Sequence, residues 1–176
     1  MKKSIVFNFM LASMMLVALT SCHKKPYLDI TYELECTGDL LEYATPKVTH
    51  TDNNKQAVNI ELSKSDFEYN ETTQKYVWKY EVPCYEDFSS VDDEMRVTYE
   101  VKPDVSIDTE SVDLAHLLYI SYEMRDDDEN IIKRNKILSS TNVNVYVNGN
   151  RLNDEVSNMS DYRKGHFESN GTWKVE

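Results

Sequence analysis

Glycine and proline are scarce, at four each among 176 residues. So few glycines leave no phosphate-cradling loop and are far from a low-complexity or collagenous composition. Cysteine is rarer, with three in all, and no cysteine–histidine metal signature occurs. The four histidines, His23, His50, His116 and His166, include no pair at ligand spacing, so a zinc site would have to be assembled wholly by the fold. Positive charge is also short, with 19 Lys and Arg against 31 Asp and Glu and a net charge of −12. That balance excludes nucleic acid as a partner, because its binders need a basic face. No nucleophile elbow or other catalytic signature is present. No cofactor is implied.

The N-terminus is distinctive. Lys2 and Lys3 precede an apolar run from Ile5 to Leu19, which is shorter than the roughly 20 residues of a membrane-spanning helix. The run ends in Leu19-Thr20-Ser21-Cys22. This segment resembles the signal peptide and lipobox of bacterial lipoproteins. The resemblance covers the first 22 residues, and no family is recognised for the rest. It implies cleavage before Cys22, acylation of the Cys22 thiol and then of its new amino group, and membrane lipid as the first partner. Two or three chains anchor stably, since each buried CH₂ contributes about 0.8 kcal/mol and one chain alone is marginal. A plain secretory signal or an uncleaved anchor helix are the alternatives. Position 23 is His rather than Asp, and Lys24-Lys25 follow. By resemblance to lipoprotein sorting this points to the outer membrane, on its periplasmic face rather than the cell surface.

The domain division that follows is 1–21 signal peptide, 22–26 lipidated cysteine and linker, 27–152 folded domain, and 153–176 a tail or added hairpin. Four linker residues span at most about 14 Å, so the domain should sit near the lipid. Removing Lys2 and Lys3 takes the net charge from −12 to −14, which serves solubility.

From Tyr27 onward the dominant pattern is period two. Leu28, Ile30, Tyr32, Leu34 and Cys36 alternate with Asp29, Thr31, Glu33 and Glu35. Further strands are predicted at Leu41–Thr49, around Val58–Leu62, Phe67–Tyr69, Tyr76–Val82 (ended by Pro83), Met95–Val101, Leu118–Met124, Ile131–Leu138 and Val143–Val147. Asp126–Asn130 makes a charged turn, and Phe167–Val175 folds as a hairpin about Asn170-Gly171. No clearly capped helix is evident. Short strands with frequent turns predict an all-β fold, an antiparallel β-sandwich of immunoglobulin-like or transthyretin-like kind.

Four groups of residues carry possible chemistry. Cys36 and Cys84 share core-facing parity and are a candidate disulfide in an oxidising compartment. Asp126, Asp128 and Asn130 match the first places of a calcium loop, but Ile131 and Ile137 break the pattern, so a looser cation loop competes with a solvated turn. Asp92-Asp93-Glu94, with Glu86 and Asp87, reads as a second solvated acidic loop. Tyr76, Trp78 and Tyr80 share one strand face and offer a sugar-stacking platform if that face is open, or core if it is closed. The function expected is a non-catalytic, lipid-anchored envelope domain of structural or binding role. A glycan- or protein-binding accessory of a surface assembly is the alternative, and an enzyme built on a pocket around His50 or His116 a more distant one.

Overall fold

In the first strand, β1 (Tyr27–Cys36), every second residue is buried. Leu28, Ile30, Tyr32, Leu34 and Cys36 form that inner row. The computed structural model describes residues 26–85, 91–103, 105, 111–146, 152–168 and 170–175, with backbone alone at 83–84, 111, 138–146 and 175. After β1 come α1 (Gly38–Tyr43), β2 (Ala44–Thr51), β3 (Ala57–Glu61), a 3-10 turn at Lys64–Asp66, β4 (Glu68–Asn70), β5 (Lys75–Tyr85) and β6 (Asp92–Val101). Then follow β7 (Ser111–Arg125), β8 (Ile131–Tyr146), α2 (Leu152–Asn158), β9 (Asp161–Phe167) and β10 (Trp173–Val175).

The strands form two open, antiparallel, five-stranded sheets, so the fold is an all-β sandwich. Sheet I has the order β4-β5-β1-β7-β8 and sheet II the order β10-β9-β6-β2-β3. β1 lies in the middle of sheet I, between β5 and β7. Among the described residues no helix is long and apolar enough to cross a membrane.

Four segments differ from the pattern expectation. Leu41 begins no strand. Thr37 instead caps α1: its hydroxyl oxygen accepts from the Leu40 amide at 3.4 Å, and Leu40 and Leu41 are buried. The same hydroxyl donates to the Asp113 carbonyl at 2.7 Å and accepts from the Ala115 amide at 3.1 Å. A one-and-a-half-turn helix has too few residues to show a 3.6 period, and a single Thr cap does not stand out in sequence, so neither announced it. The predicted strands at Ile131–Leu138 and Val143–Val147 are one, β8, paired to β7 throughout. Pro83 does not end β5. Val82 pairs with Ile30 and Tyr85 with Leu28, so two β5 residues face one on β1 in a bulge. Proline is tolerated inside a sheet at such a place.

The largest correction concerns residues 153–176. They are not an appendage. Leu152, Val156 and Met159 are buried, and β9 pairs with β6 inside sheet II. Phe167 is fully buried, edge-on to Tyr122 at 4.9 Å between ring centres. The hairpin expected there does form, with Trp173 opposite Phe167 and Val175 opposite Gly165. A Cβ at Gly165 would sit 2.2 Å from the Lys174 carbonyl oxygen and 2.5 Å from the Trp173 ring. Only glycine fits there.

Candidate functional site

Among the described residues, two buried polar groups and one open trench bring chemistry-bearing side chains together. The first buried group lies between the sheets. The Tyr32 hydroxyl donates to Asp93 Oδ1, and the Tyr85 hydroxyl donates to the Asp52 carbonyl. His50 packs with its ring 4.1 Å from Tyr80 and 5.3 Å from Tyr32, and its Nδ1 meets the Thr51 carbonyl at 3.0 Å. Asp93 is fully buried. It therefore belongs to no solvated loop, contrary to the sequence expectation; Asp92 to Glu94 open β6. Burial pushes the Asp93 carboxyl up to about 6, and the Tyr32 hydrogen bond only partly offsets that. The Trp173 indole also favours the charged carboxylate. Even so, Trp173 Nε1 and Asp93 Oδ2 lie outside hydrogen-bond geometry. Burial likewise lowers His50, whose neutral ring fits its apolar surroundings.

The second group is Cys36, Tyr99, His116 and Asp161. Cys36 Sγ lies 3.8 Å from the Tyr99 hydroxyl, and His116 Nε2 lies 3.7 Å from Asp161 Oδ2. A cysteine, a histidine and an aspartate so close suggest nucleophilic chemistry, but the electrostatics oppose it. Burial pushes the Cys36 thiol up to about 12 and lowers His116. The thiol stays protonated, and a protonated thiol is a poor nucleophile. Among the described residues no group of three or more His, Cys, Asp or Glu could hold a metal ion.

The other sequence candidates separate. Cys36 is a free, buried thiol, so the expected bridge to Cys84 is not made. Register gives the reason. Cys36 lies opposite Tyr76 on β5, and Cys84 is eight residues further along that strand, about 26 Å away at the usual rise. A disulfide needs Cα atoms within about 7 Å. Asp126 Oδ1 accepts from the Asp128 and Asn130 amides at 3.0 and 2.9 Å, and from the Asn130 side chain at 3.2 Å. The expected cation loop is thus a self-satisfied turn, with Glu129 at φ 62. The aromatic platform is closed: Trp78 is 7% exposed and stacks on Tyr80, with 15° between planes. Tyr76 packs on Tyr69 at 5.0 Å. Cys22 lies outside the described residues.

The trench is on the outer face of sheet I. Register sets Glu81 opposite Thr31, Thr31 opposite Ser121, and Ser121 opposite Lys136, in one row across four strands. The flanking rows are filled by long, paired side chains. On one side Glu33 meets Lys79 at 3.1 Å and Lys136 at 3.8 Å, and Lys136 Nζ lies 3.5 Å from the centre of the Tyr119 ring. On the other, Arg125 meets Asp29 at 3.2 Å and Glu123 at 2.5 Å, and Arg134 meets Glu123 at 2.8 Å. Small hydroxyl residues between long ones leave a depression of about 480 Å³, within the roughly 300–1,000 Å³ of small-molecule sites. Period two sets Thr31, Glu81, Ser121 and Glu123 opposite in parity to the apolar rows of their strands, and so on outward faces. It could not show that they adjoin, because register is a non-local property. Of the remaining aromatics, Tyr119 stands on this face, Trp173 turns half-buried into the sandwich, and the Tyr146 side chain lies outside the described residues.

Comparison with protein-family models, with curated proteins and with solved structures finds no match for this chain.

Proposed function

We propose that the chain is a lipid-anchored cell-envelope protein whose β-sandwich serves a non-catalytic binding role. The observation that carries this is Leu19-Thr20-Ser21-Cys22 closing a charged-then-apolar leader, five residues before Tyr27, where β1 begins. Acylated Cys22 is then the membrane contact. Because Tyr27 lies opposite Arg125, the end of sheet I that carries the β7–β8 turn is the end nearest the lipid. The outer membrane, with the domain on its periplasmic face, is the location proposed.

The binding part of the reading is supported by the trench, a depression of about 480 Å³ on an otherwise ion-paired face. Nucleophilic catalysis is disfavoured by the protonated Cys36 thiol and the enclosed histidines. Metabolic labelling with an alkyne fatty acid tests the anchor: wild type is expected to carry label in the membrane fraction, and Cys22→Ala to carry none. Equal labelling of the two proteins would refute the proposal. Protease shaving of intact cells tests orientation, with an intact domain expected.

A further inference from the structure

We propose that the outer-face trench of sheet I binds a neutral, polyhydroxylated ligand, a glycan segment laid across the strands from Glu81 to Ser121. This deepens the binding role proposed above and rests on it.

Three independent observations point there. The first is the set of unused polar groups. Among the described residues, Glu81 makes no ion pair, and the Thr31 and Ser121 hydroxyls make no hydrogen bond, whereas the carboxylates on either side are held by Lys79, Arg125, Arg134 and Lys136. One carboxylate and two hydroxyls side by side match the alternating donors and acceptors of sugar hydroxyls.

The second is charge balance. Around the depression Asp29, Glu33 and Glu123 are each held by a cation, Arg125, Lys79 or Arg134, which leaves Glu81 as the carboxylate without an ion pair among the described lining residues. The carboxylates among the lining residues, Asp29, Glu81 and Glu123 against Arg125, repel an anionic ligand, and a cationic one meets Asp29 and Glu123 already engaged by Arg125 and Arg134. An apolar ligand finds hydroxyls on the floor. The paired side chains are also already ordered, which reduces what binding must freeze.

The third is the bulge. The two β5 residues facing Asp29 bend that strand beside Val82 and Glu81, at the rim of the depression they line. Bulges are concentrated next to sites because they re-aim side chains. The depression runs over β5, β1 and β7, two inter-strand spacings or roughly 10 Å, which favours an elongated ligand. Lys136 covers the Tyr119 ring, so hydrogen bonding rather than stacking carries recognition.

The test uses the processed, acylated protein in a micelle of a detergent without a sugar headgroup. Cellotetraose, maltotetraose, mannotetraose, xylotetraose and chitotetraose are titrated while amide resonances are followed, with tetragalacturonate and tetralysine as charged comparisons. At least one neutral oligosaccharide is expected to shift the amides of Thr31, Glu81 and Ser121. Ser121→Arg, which fills the floor, and Glu81→Gln are each expected to weaken it by at least about tenfold with thermal unfolding unchanged. The inference is overturned if no neutral member shifts those amides, if Ser121→Arg binds as well as wild type, or if a charged comparison binds more tightly. Cys22 labelling is scored separately, so a failed anchor and an empty trench are distinct results.

Discussion

Thr31 and Tyr32 are neighbours in the chain and belong to opposite worlds. Tyr32 points inward and holds Asp93 in a fully buried site; Thr31 points outward and floors a trench between exposed ion pairs. On the inner side one hydrogen bond supports a fully buried carboxyl, and losing it leaves that group unsatisfied at a cost of about 1–3 kcal/mol. On the outer side several ion pairs at shorter range than many buried contacts contribute roughly 0–1 kcal/mol each, because solvent screens them. The difference teaches where stability and function separate in this sandwich. The inner face cannot change without unfolding it, while the outer face is free to be shaped for a ligand.

The contrast can be broken by mutation, beginning with the core. Phe167→Ala should cost about 3–5 kcal/mol in urea unfolding, since Phe167 fills the space against Tyr122. A loss below about 1 kcal/mol would mean that residues 153–176 are an appendage after all. Next comes the pH response of Asp93. Its carboxyl is raised from the ordinary 3.8 to about 6, so between those values the folded state binds more protons than the unfolded one. Stability from this group is therefore greatest below pH 4 and falls as pH rises to about 6, by about 3 kcal/mol in all. In Asp93→Asn that downward slope should vanish from the stability–pH profile; an unchanged slope would assign it to other groups.

Tyr32→Phe sharpens the same site. It should cost about 1–3 kcal/mol at pH 7 and less at pH 4, where the Asp93 carboxyl is protonated; denaturant midpoints at the two pH values decide it. The smallest effect belongs to the outer face. Arg125→Ala removes contacts to Asp29 and Glu123 yet should cost no more than about 1 kcal/mol. A cost as large as that of Tyr32→Phe would erase the distinction between the faces.

Much of sheet I was legible in the chain. The inner row of β1 and the strand at Leu118–Met124 stand as the alternation predicts, because a pleated strand half in water must repeat every two residues. Asp93 was not legible. It has the inward parity of Met95 and Val97, but a charged type at a strand start reads as a loop until Tyr32 is known to face it. Thr31 and Ser121 were assigned the correct side and no role, since each is unremarked alone and forms a trench only beside the other. The short α1 and the single long β8 escaped for different reasons. One is too brief for its period, and the other runs through Ser139-Ser140-Thr141-Asn142 without alternation.

By itself the sequence determined which residues of β1 and of the Leu118–Met124 stretch turn inward, the two-sheet class, the β9–β10 hairpin and the lipobox that motivates the anchor. All of these are local: a period, a turn, or a run of types along one segment. Tertiary structure alone decided that Cys36 and Cys84 stand far apart on paired strands, that Asp93 is enclosed, that β9 lies within sheet II, and that Glu81, Thr31, Ser121 and Lys136 share one row. Those depend on which strand pairs with which and in what register, and that is fixed by the joint burial of segments far apart in the chain.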